Sequence, residues 1–394
     1  MTPKERAMAC INGRKTDKVP VHHLQFSGDV ARLIVGRECY VGGAYVQWRA
    51  IHVLWDDPES YPAFLARCEE DAVAVARACG HDILRLHYWR WGGGRPAKKV
   101  DDYNFIFGDH PDGRWHILTY DPQIELLTRK DYQGSTQLPS ADQSTEVAEP
   151  TEESVMTQVE KEEAAAATYA LPADLRERFS AMYRKYPDDL LKLGSETVGV
   201  DMNCVADMLA FAMFPKLVAR IYMARARRCA KEIAVLAEAG MPVNFSGYDF
   251  CSKDGPCISP RAFREVVTPA LKLIVDAAHT HGMKYFYSGD GNFWPVAEDF
   301  FDIAGIDGYF ETDRSAGMEL RPLRERFPKV TFIGNIRVQV LHRGTRDDVI
   351  RETMDCLEVA HELGGVIVGA SNMIMPGTPP DNIMAMLETI DRNR

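Results

Sequence analysis

The amino-acid sequence predicts an α/β fold, a (β/α)8 TIM barrel with an inserted hairpin and a flexible acidic insertion in its first half. Eight short runs rich in β-forming residues occur along the chain, and most are followed by a helical pattern. From Val243 onward these runs recur at intervals of roughly 22 to 41 residues, the repeat expected of βαβ units. A doubly wound sheet is the structural alternative.

The eight predicted strands are rich in Val, Ile, Leu, Tyr and Phe. They are Val19–Leu24, Asp82–His87, Leu190–Leu193, Val243–Tyr248, Lys284–Tyr287, Ile306–Phe310, Val330–Gly334 and Val366–Gly369. The helix after the fourth strand has the clearest signals, because Ser259 is a suitable N-cap, Pro260 fits the first helical position and Gly282 ends the pattern. Apolar residues at helical spacing between them give this helix one buried face.

The first half of the chain is less regular. Tyr103–Phe107 and Trp115–Thr119 flank a turn-rich HPDG segment, which is typical of a β-hairpin. Residues 133–169 are rich in Ser, Thr, Glu, Gln and Ala and contain hardly an aromatic residue. Because such a composition buries little apolar surface, we expect a flexible or partly helical acidic insertion within a single domain that spans residues 1–394.

The overall composition excludes several classes of function. Of the 394 residues, 46% are hydrophobic and 26% are charged, which is typical of a soluble globular protein. The net charge of −11 argues against a nucleic-acid surface, and the locally basic stretch Arg220–Lys231 is interpreted as a solvated helix face. No run approaches the roughly 18 apolar residues of a membrane span. Nine scattered cysteines and the lack of a secretory signal pattern favour free thiols in the cytoplasm.

The stretch Lys284–Asn292 (KYFYSGDGN) is the most informative part of the sequence, because a hydrophobic strand runs directly into a glycine-rich turn. Gly289 and Gly291 allow a sharp bend, since glycine adopts a positive φ without steric cost. Asp290 and Asn292 would then project from the carboxyl end of the strand, where barrels and open α/β sheets hold their chemistry. The alternative is a capped turn whose side chains satisfy a helix N-terminus.

Two further carboxylates follow predicted strands. Asp249 follows the fourth strand and Glu311 closes the sixth. Together with Asp290 they form the predicted catalytic set, because carboxyl groups around one apolar pocket push each other's pKa values apart, which suits general acid and base work. The alternatives are a loop carboxylate bound to backbone amides for Asp249 and a surface ion pair with Arg314 for Glu311.

The predicted substrate-binding residues combine histidine, aromatic and polar side chains. Two histidines lie on the first strand and point to opposite faces, so at most one faces the barrel interior. The aromatic and cationic cluster after the second strand fits stacking on a flat or methylated ligand, and a hydrophobic plug beside the hairpin is the alternative. The predicted set is His22, His23, His87, Tyr88, Trp89, Arg90, Tyr287, Ser288, Asn292 and Asn372.

Six segments carry a resemblance to a known family over nearly the whole chain outside the acidic insertion. They are TPKERAMACINGRKTDKVPV near the start, GPCISPRAFREVVTPALKLIVDAAHTHG, SGDGN, AGIDGYFETDRSAGM, FIGNI and GGVIVGASNMIMPGTPPDNIMAM. They resemble the uroporphyrinogen decarboxylase superfamily, which also contains the methyltransferases of corrinoid-dependent methyl transfer. The resemblance implies a TIM barrel and, because members often pair through the active-site face, a homodimer.

The sequence also departs from this resemblance. The decarboxylases hold the carboxylates of a porphyrinogen with an arginine-rich segment after the first strand, whereas residues 22–28 contain no arginine and the family histidine near the last strand falls on Ser371. The methyltransferases bind zinc with His-x-Cys on the fifth strand and Cys on the eighth, where this chain has Ser288-x-Asp290 and residues 370–372. Thiolate zinc chemistry is therefore absent, and Asp290 and Glu311 are the candidate ligands if zinc is bound.

Three functions are consistent with these residues. The first is a methyltransferase that moves a methyl group from a small methylated compound, a methoxy or methylamine donor, to a corrinoid on a separate partner protein. The second is a decarboxylase or related lyase on a small carboxylated substrate, in which a carboxylic acid supplies the proton that replaces CO2. The third is a barrel that binds a ligand without catalysis. Corrinoid turnover with bound zinc, CO2 release without metal, and inertness with tight binding would distinguish them.

Overall fold

Strands alternate with helices along most of the chain in the computed structural model, which describes residues 1–85, 91–133, 149–194 and 205–394. The strands are β1 Gln25–Phe26, β2 Ile83–Leu84, β3 Lys98–Lys99, β4 Asn104–Gly108, β5 Arg114–Asp121, β6 Leu126–Gln133, β7 Leu191–Gly194, β8 Val243–Gly247, β9 Cys251–Ser252, β10 Gly255–Pro256, β11 Lys284–Ser288, β12 Gly308–Phe310, β13 Thr331–Ile336, β14 Val366–Ala370 and β15 Met373–Ile374. The α-helices are α1 Pro3–Ile11, α2 Gly28–Val35, α3 Gly43–Asp56, α4 Tyr61–Ala78, α5 Glu152–Thr168, α6 Leu175–Lys185, α7 Val205–Met213, α8 Pro215–Glu238, α9 Pro260–Ala262, α10 Thr268–Thr280, α11 Leu320–Arg326, α12 Val338–Arg343, α13 Arg346–Leu363 and α14 Pro380–Asn393.

Seven strands form the central sheet, in the order β14-β13-β12-β11-β8-β7-β2. The pairings are parallel, so all carboxyl ends lie on one edge. The α/β class predicted from the sequence is therefore confirmed, and seven of the eight predicted strands coincide with strands of this sheet. The second prediction was too long: β2 contains only Ile83 and Leu84, and residues 86–90 lie outside the described residues.

The first predicted strand, Val19–Leu24, is not a regular strand. Val21 makes one parallel bridge to Val368 of β14, and its carbonyl accepts a hydrogen bond from the backbone N–H of Asp82 on the other side. The following residues form the short strand β1, which pairs with β15 in parallel. Residues 19–24 therefore lie between the first and last strands of the sheet and contact both.

An apolar cluster fills the interior face of the sheet, because alternate residues of each strand point to one side. Its strand residues are Ile83, Leu191, Val243, Phe245, Phe286, Phe310, Ile333 and Ile367, and Leu24 joins them from just before β1. Helix α1 covers one end of this cluster with Ala7, Cys10 and Ile11. Burying one such leucine, isoleucine or phenylalanine side chain contributes about 1.5 to 3 kcal/mol, so this cluster is a major source of the stability of the sheet.

The helix predicted after the fourth strand forms, with one irregularity. The hydroxyl of Ser259 accepts a hydrogen bond from the N–H of Ala262, as expected of an N-cap. Residues 263–267 then form a π-helical turn between α9 and α10. The helix ends at Thr280 and Gly282 follows it with a φ of 70°, in the left-handed region that glycine favours.

A separate antiparallel sheet consists of β3, β4, β5 and β6. The two strands on either side of the HPDG segment, β4 and β5, pair with Asn104 opposite Thr119 at one end and Gly108 opposite Trp115 at the other. Trp48 of α3 stacks on Tyr120 of β5, with ring centroids 4.7 Å apart and an interplanar angle of 11°. Aromatic stacking and apolar burial thus fix this sheet against α3.

Helix α5 lies within the segment predicted to be flexible or partly helical, and it packs against α8. Its Val155 and Val159 are buried, and its Glu162 pairs with Arg225 and Arg228. The basic stretch is therefore not simply a solvated face, because three of its arginines bind this acidic helix, with Arg220 pairing to Glu163. Among the described residues no helix has the length and apolarity needed to cross a bilayer.

Candidate active site

Asp290 and Glu311 lie side by side at the carboxyl edge of the sheet. Asp290 lies two residues beyond β11, and Glu311 directly follows β12. Residues 286–288 of β11 pair in register with residues 308–310 of β12, so the two strands end at the same level of the sheet. The two carboxyl groups are close enough to influence each other's pKa. We call Asp290 and Glu311 the acid pair.

Two polar side chains hold the acid pair in place. The Asn372 amide nitrogen donates to Oδ2 of Asp290 at 2.5 Å and lies 3.4 Å from Oε2 of Glu311. The hydroxyl of Ser288 donates to Oε1 of Glu311. Asn372 and Ser288 were predicted to bind substrate, and the structure brings both to the site. Their hydrogen bonds nevertheless go to the acids, so their first effect is to fix the positions of the two carboxyl groups.

Burial and mutual repulsion favour the protonated forms of the acid pair. Desolvation, with repulsion from Asp249 and Asp313, raises the pKa of Asp290 to about 7. Desolvation and the neighbouring charge of Asp290 raise the pKa of Glu311 well above its usual value. Glu311 also has a φ of 65°, an uncommon conformation for a residue other than glycine, of the kind that clusters at functional sites. Near neutral pH the acid pair therefore holds a proton that it can donate.

Asp249 supports the turn that carries Asp290. Its side chain is exposed beyond β8, and its Oδ1 accepts a hydrogen bond from the backbone N–H of Asp290 at 2.9 Å. The structure thus places Asp249 in the role that the sequence left as its alternative, a loop carboxylate bound to a backbone amide. Gly291 has the predicted positive φ, at 92°. Gly289 is needed for a different reason, because a Cβ there would lie 2.9 Å from the carbonyl oxygen of Tyr248.

Two buried tyrosines hold the same loops. The hydroxyl of Tyr287 accepts a hydrogen bond from the backbone N–H of Tyr248 at 3.1 Å, and the hydroxyl of Tyr309 donates to the carbonyl of Gly289. Tyr287 is fully buried and packs against Phe250. Its predicted role in substrate binding is corrected accordingly, because its side chain points into the helix layer. Tyr309 was missed, since within the run Ile306–Phe310 it reads only as an apolar core residue.

The two histidines of the first predicted strand are also fully buried. His22 lies against Phe310 of the interior cluster, with ring centroids 5.5 Å apart, whereas His23 lies 5.9 Å from Phe26 on the other side. They therefore point to opposite faces, as strand alternation predicts. Neither reaches an accessible surface, so the structure corrects their predicted role as substrate contacts.

Of the remaining predicted residues, Asn292 caps a turn, and the other four lie in a segment that the structure does not describe. Oδ1 of Asn292 accepts a hydrogen bond from the backbone N–H of Trp294 at 3.0 Å. Asn292 thus caps the turn, which is the alternative that the sequence left open, and it does not join the acid pair. His87, Tyr88, Trp89 and Arg90 lie outside the described residues.

Arg85 lies beside the site and was not predicted. It directly follows β2, its guanidinium lies 4.8 Å from the ring centroid of Phe245, and it donates to the carbonyl of Leu24 at 3.3 Å. Its positive charge opposes the rise in the pKa of Glu311. Alternation could have revealed it, because residues two apart on a strand share a face and Ile83 belongs to the interior cluster.

The donor atoms at this site do not fit a zinc ion. Zinc takes thiolate, imidazole and carboxylate ligands, and needs at least three of them from the protein. In the described parts of the chain, no group of three or more His, Cys, Asp or Glu side chains could hold a metal ion. Besides the two candidate ligands, Asp290 and Glu311, the immediate partners are an amide and a hydroxyl. Two carboxyl groups held by an amide and a hydroxyl are a donor set that suits proton transfer.

Comparisons with known proteins agree with this architecture. A solved methyltransferase from Methanosarcina mazei is similar in fold over 100% of this chain and 99% of its own, with a TM-score of 0.58 and 17% identity. A D-psicose 3-epimerase with D-tagatose from Clostridium cellulolyticum H10 matches 61% of this chain and 91% of its own at 10% identity, with a TM-score of only 0.33. A comparison with curated proteins gave no match. The family described as uroporphyrinogen decarboxylase (URO-D) matches residues 188–393, more than half of the chain. The chain therefore belongs to the uroporphyrinogen decarboxylase family.

Proposed function

We propose that this protein is a methyltransferase that moves a methyl group from a small methylated compound to a corrinoid bound by a separate carrier protein. The observation that supports this proposal is the acid pair, two carboxyl groups at the edge of the sheet whose pKa values are raised by burial. Asn372 and Ser288 hold these groups in fixed positions before a substrate arrives, which favours catalysis because less reorganisation is needed.

The acid pair supplies the proton that the departing group requires. When the methyl carbon of a methoxy donor is attacked by the reduced corrinoid, the electron pair of the C–O bond stays on oxygen. A protonated carboxyl then donates its proton to that oxygen, so that an alcohol leaves. A methylammonium donor needs no such proton, because its nitrogen leaves as a neutral amine. The acid pair therefore favours methoxy donors over methylamines.

We also propose that residues 19–24 close the sheet into a complete (β/α)8 barrel. The bridge between Val21 and Val368 and the hydrogen bond from the N–H of Asp82 to the Val21 carbonyl support this closure. The antiparallel sheet of β3 to β6 would then be an insertion after the second barrel strand. A homodimer, which rests on the resemblance alone, is part of the same proposal. So is a cytoplasmic location, which rests on the scattered cysteines.

The test is methyl transfer to free cob(I)alamin from a panel of methoxylated aromatic compounds and methylamines, followed by the absorbance change as methylcobalamin forms. We expect turnover with at least one methoxylated donor, with loss of turnover in Asp290→Asn. Turnover confined to methylamines, or retained in Asp290→Asn, would overturn the assigned role of the acid pair. Metal analysis of the same preparation tests the zinc prediction separately.

A decarboxylase acting on a small carboxylated substrate is the second candidate, and Arg85 is the observation that favours it. A guanidinium beside a protonated acid can hold a substrate carboxylate while the acid protonates the carbon that loses CO2. This reaction needs no corrinoid. Release of CO2 from a carboxylated substrate in the absence of cobalamin, with deuterium from D2O appearing at the product carbon, would establish it. In that case Arg85→Met should raise KM more than it lowers kcat.

A further inference from the structure

Imidazole nitrogens replace carbonyl oxygens as hydrogen-bond acceptors where residues 19–24 meet their neighbours. The backbone N–H of Ala370, at the end of β14, donates to Nδ1 of His23 at 3.0 Å. The backbone N–H of His23 in turn donates to Nε2 of His81, just before β2, at 3.1 Å. His22 completes the group, because its ring centroid lies 4.9 Å from that of His81. We call His22, His23 and His81 the histidine seam.

These contacts fix the protonation state of two of the rings. A ring nitrogen accepts a hydrogen bond only when it carries no proton, so the proton of His23 is on Nε2 and that of His81 is on Nδ1. Both of these nitrogens are buried and have no hydrogen-bond partner among the described residues. The same holds for both nitrogens of His22, although the carbonyl of Ile83 lies close enough to oppose the shift in its pKa.

The surroundings of the histidine seam oppose a positive charge. Arg85 lies near His22, and Arg394 lies near His81. Asp82, the carboxylate next to His81 in the chain, is already engaged by Arg6, Arg394 and the backbone N–H of Val21. Desolvation, with these cations, lowers the pKa of His22 and His81 well below the usual value, and desolvation lowers that of His23 to about 3.

The histidine seam is continuous with the acid pair through one short stretch of backbone. Ala370 lies two residues before Asn372, whose amide reaches both acids. A Cβ at Gly369 would lie 1.9 Å from the carbonyl oxygen of His22, so β14 approaches residues 19–24 very closely here. Any loosening of this contact moves the end of β14, and with it the amide that holds Asp290.

We propose that His23 and His81 are positioning residues whose neutral imidazoles fix the end of β14, place Asn372 between the two acids, and release this arrangement when they are protonated. The proposal rests on the acid pair as the site and does not depend on whether the reaction is methyl transfer or decarboxylation. Acid strong enough to protonate these buried rings would therefore disturb the acid pair from a distance, through the backbone.

The first test compares His23→Asn with His23→Leu. An asparagine Oδ1 can accept the hydrogen bond of Ala370 in place of Nδ1, whereas leucine cannot. Hydrogen exchange at the Ala370 amide, followed by NMR on selectively 15N-alanine-labelled protein, should rise at least tenfold in His23→Leu and stay near the wild-type rate in His23→Asn. The titration of the acid pair, followed through its 13C-labelled carboxyl carbons, should shift only in His23→Leu. Equal exchange in the two variants would overturn the proposal.

A second test remains informative if His23→Leu does not fold. In His81→Gln, the amide oxygen can take the place of Nε2, while His81→Asn is too short to reach. The double variant His23→Asn/His81→Gln keeps both acceptors but has no imidazole at either position that could take up a proton. When the histidine seam opens, both rings return to the ordinary histidine pKa of about 6.5, so protonation favours the opened state below that pH. After correction for intrinsic rates, exchange at Ala370 should therefore increase below about pH 6 in the wild type and not in the double variant. The same acid-induced increase in both proteins would overturn the proposed release.

Discussion

At the acid pair, burial raises the pKa of two carboxyl groups, whereas at the histidine seam burial lowers the pKa of three imidazoles. Both regions therefore favour uncharged forms of ionisable groups, by the same desolvation. They differ in their partners. The acids receive hydrogen bonds from Asn372 and Ser288 at an open edge, while four seam nitrogens have no partner among the described residues.

This difference indicates two uses of a neutral buried group. The acid pair can lose and regain a proton, because it lies at the edge of the sheet where a substrate can approach. The seam imidazoles lie between backbone segments and act as fixed acceptors, so that a proton gained there removes a structural hydrogen bond. A substitution that removes one of these properties therefore tests the use assigned to that region.

The largest expected effect is on catalysis by the acid pair. Asp290→Asn keeps the size of the side chain but removes its acid, and general acid catalysis contributes about 100- to 10,000-fold to a rate. We expect kcat to fall by that amount in the assay that detects turnover. Asp254→Asn, which removes an exposed carboxyl group in the turn between β9 and β10, is the matched control. A comparable loss in both variants would contradict a specific role for Asp290.

The next largest effect is the loss of folding stability in acid that the histidine seam causes. The folded-state pKa values are lowered, so below pH 6.5 the unfolded chain binds protons that the folded protein does not, and stability falls as the pH decreases. Each such histidine contributes about 1.4 kcal/mol per pH unit to this loss. Urea unfolding between pH 7 and pH 5 should show a slope that is smaller by this amount in His81→Gln than in the wild type. An unchanged slope would mean that His81 is protonated in the folded protein.

The sequence predicted the acid pair better than the histidine seam. Asp290 and Glu311 each follow a run of apolar residues with strand character, so their positions at the carboxyl edge follow from alternation and from the order of strands. Their hydrogen bonds to Asn372 and Ser288 could not be predicted, because these depend on rotamers and on distances between strands far apart in the chain. The side chain of Tyr287 could not be placed for the same reason, because it faces a layer of helices whose position no local pattern specifies.

The irregular closure of the sheet was beyond local sequence signals. Residues 19–24 read as an ordinary strand, but only Val21 makes a regular bridge. What replaces the missing backbone pairs is an interaction between His23 and a residue 347 positions away, and another with His81. A pair of histidines in a strand does not reveal such partners, so the sequence predicts substrate contacts where the structure has two buried structural residues.

A smaller effect on stability, and a stabilising one, is expected for Glu311→Gln. The pKa of Glu311 is raised in the folded protein, so above its unfolded value near 4.5 the folded state is increasingly penalised as the pH rises. Glutamine cannot ionise and can still accept the hydrogen bond of Ser288. We expect the variant to be inactive yet more stable by about 1 kcal/mol at pH 8, with little difference at pH 4.5. Chemical unfolding at the two pH values measures this, and destabilisation at both would contradict the assignment.

The smallest effect is expected where charges are paired near the surface, at the contact of α5 with α8. Glu162 binds Arg225 and Arg228, with a side chain that is 16% exposed. Water screens such pairs, so Glu162→Gln should cost only about 0.5 to 1 kcal/mol. Val159→Ala at the same contact removes two fully buried methyl groups and should cost about 2 kcal/mol. Urea unfolding of both variants ranks the two contributions. If Glu162→Gln cost more stability than Val159→Ala, ion pairing and not apolar burial would hold the acidic helix in place. Polar groups would then matter at this contact as they do in the acid pair and the histidine seam.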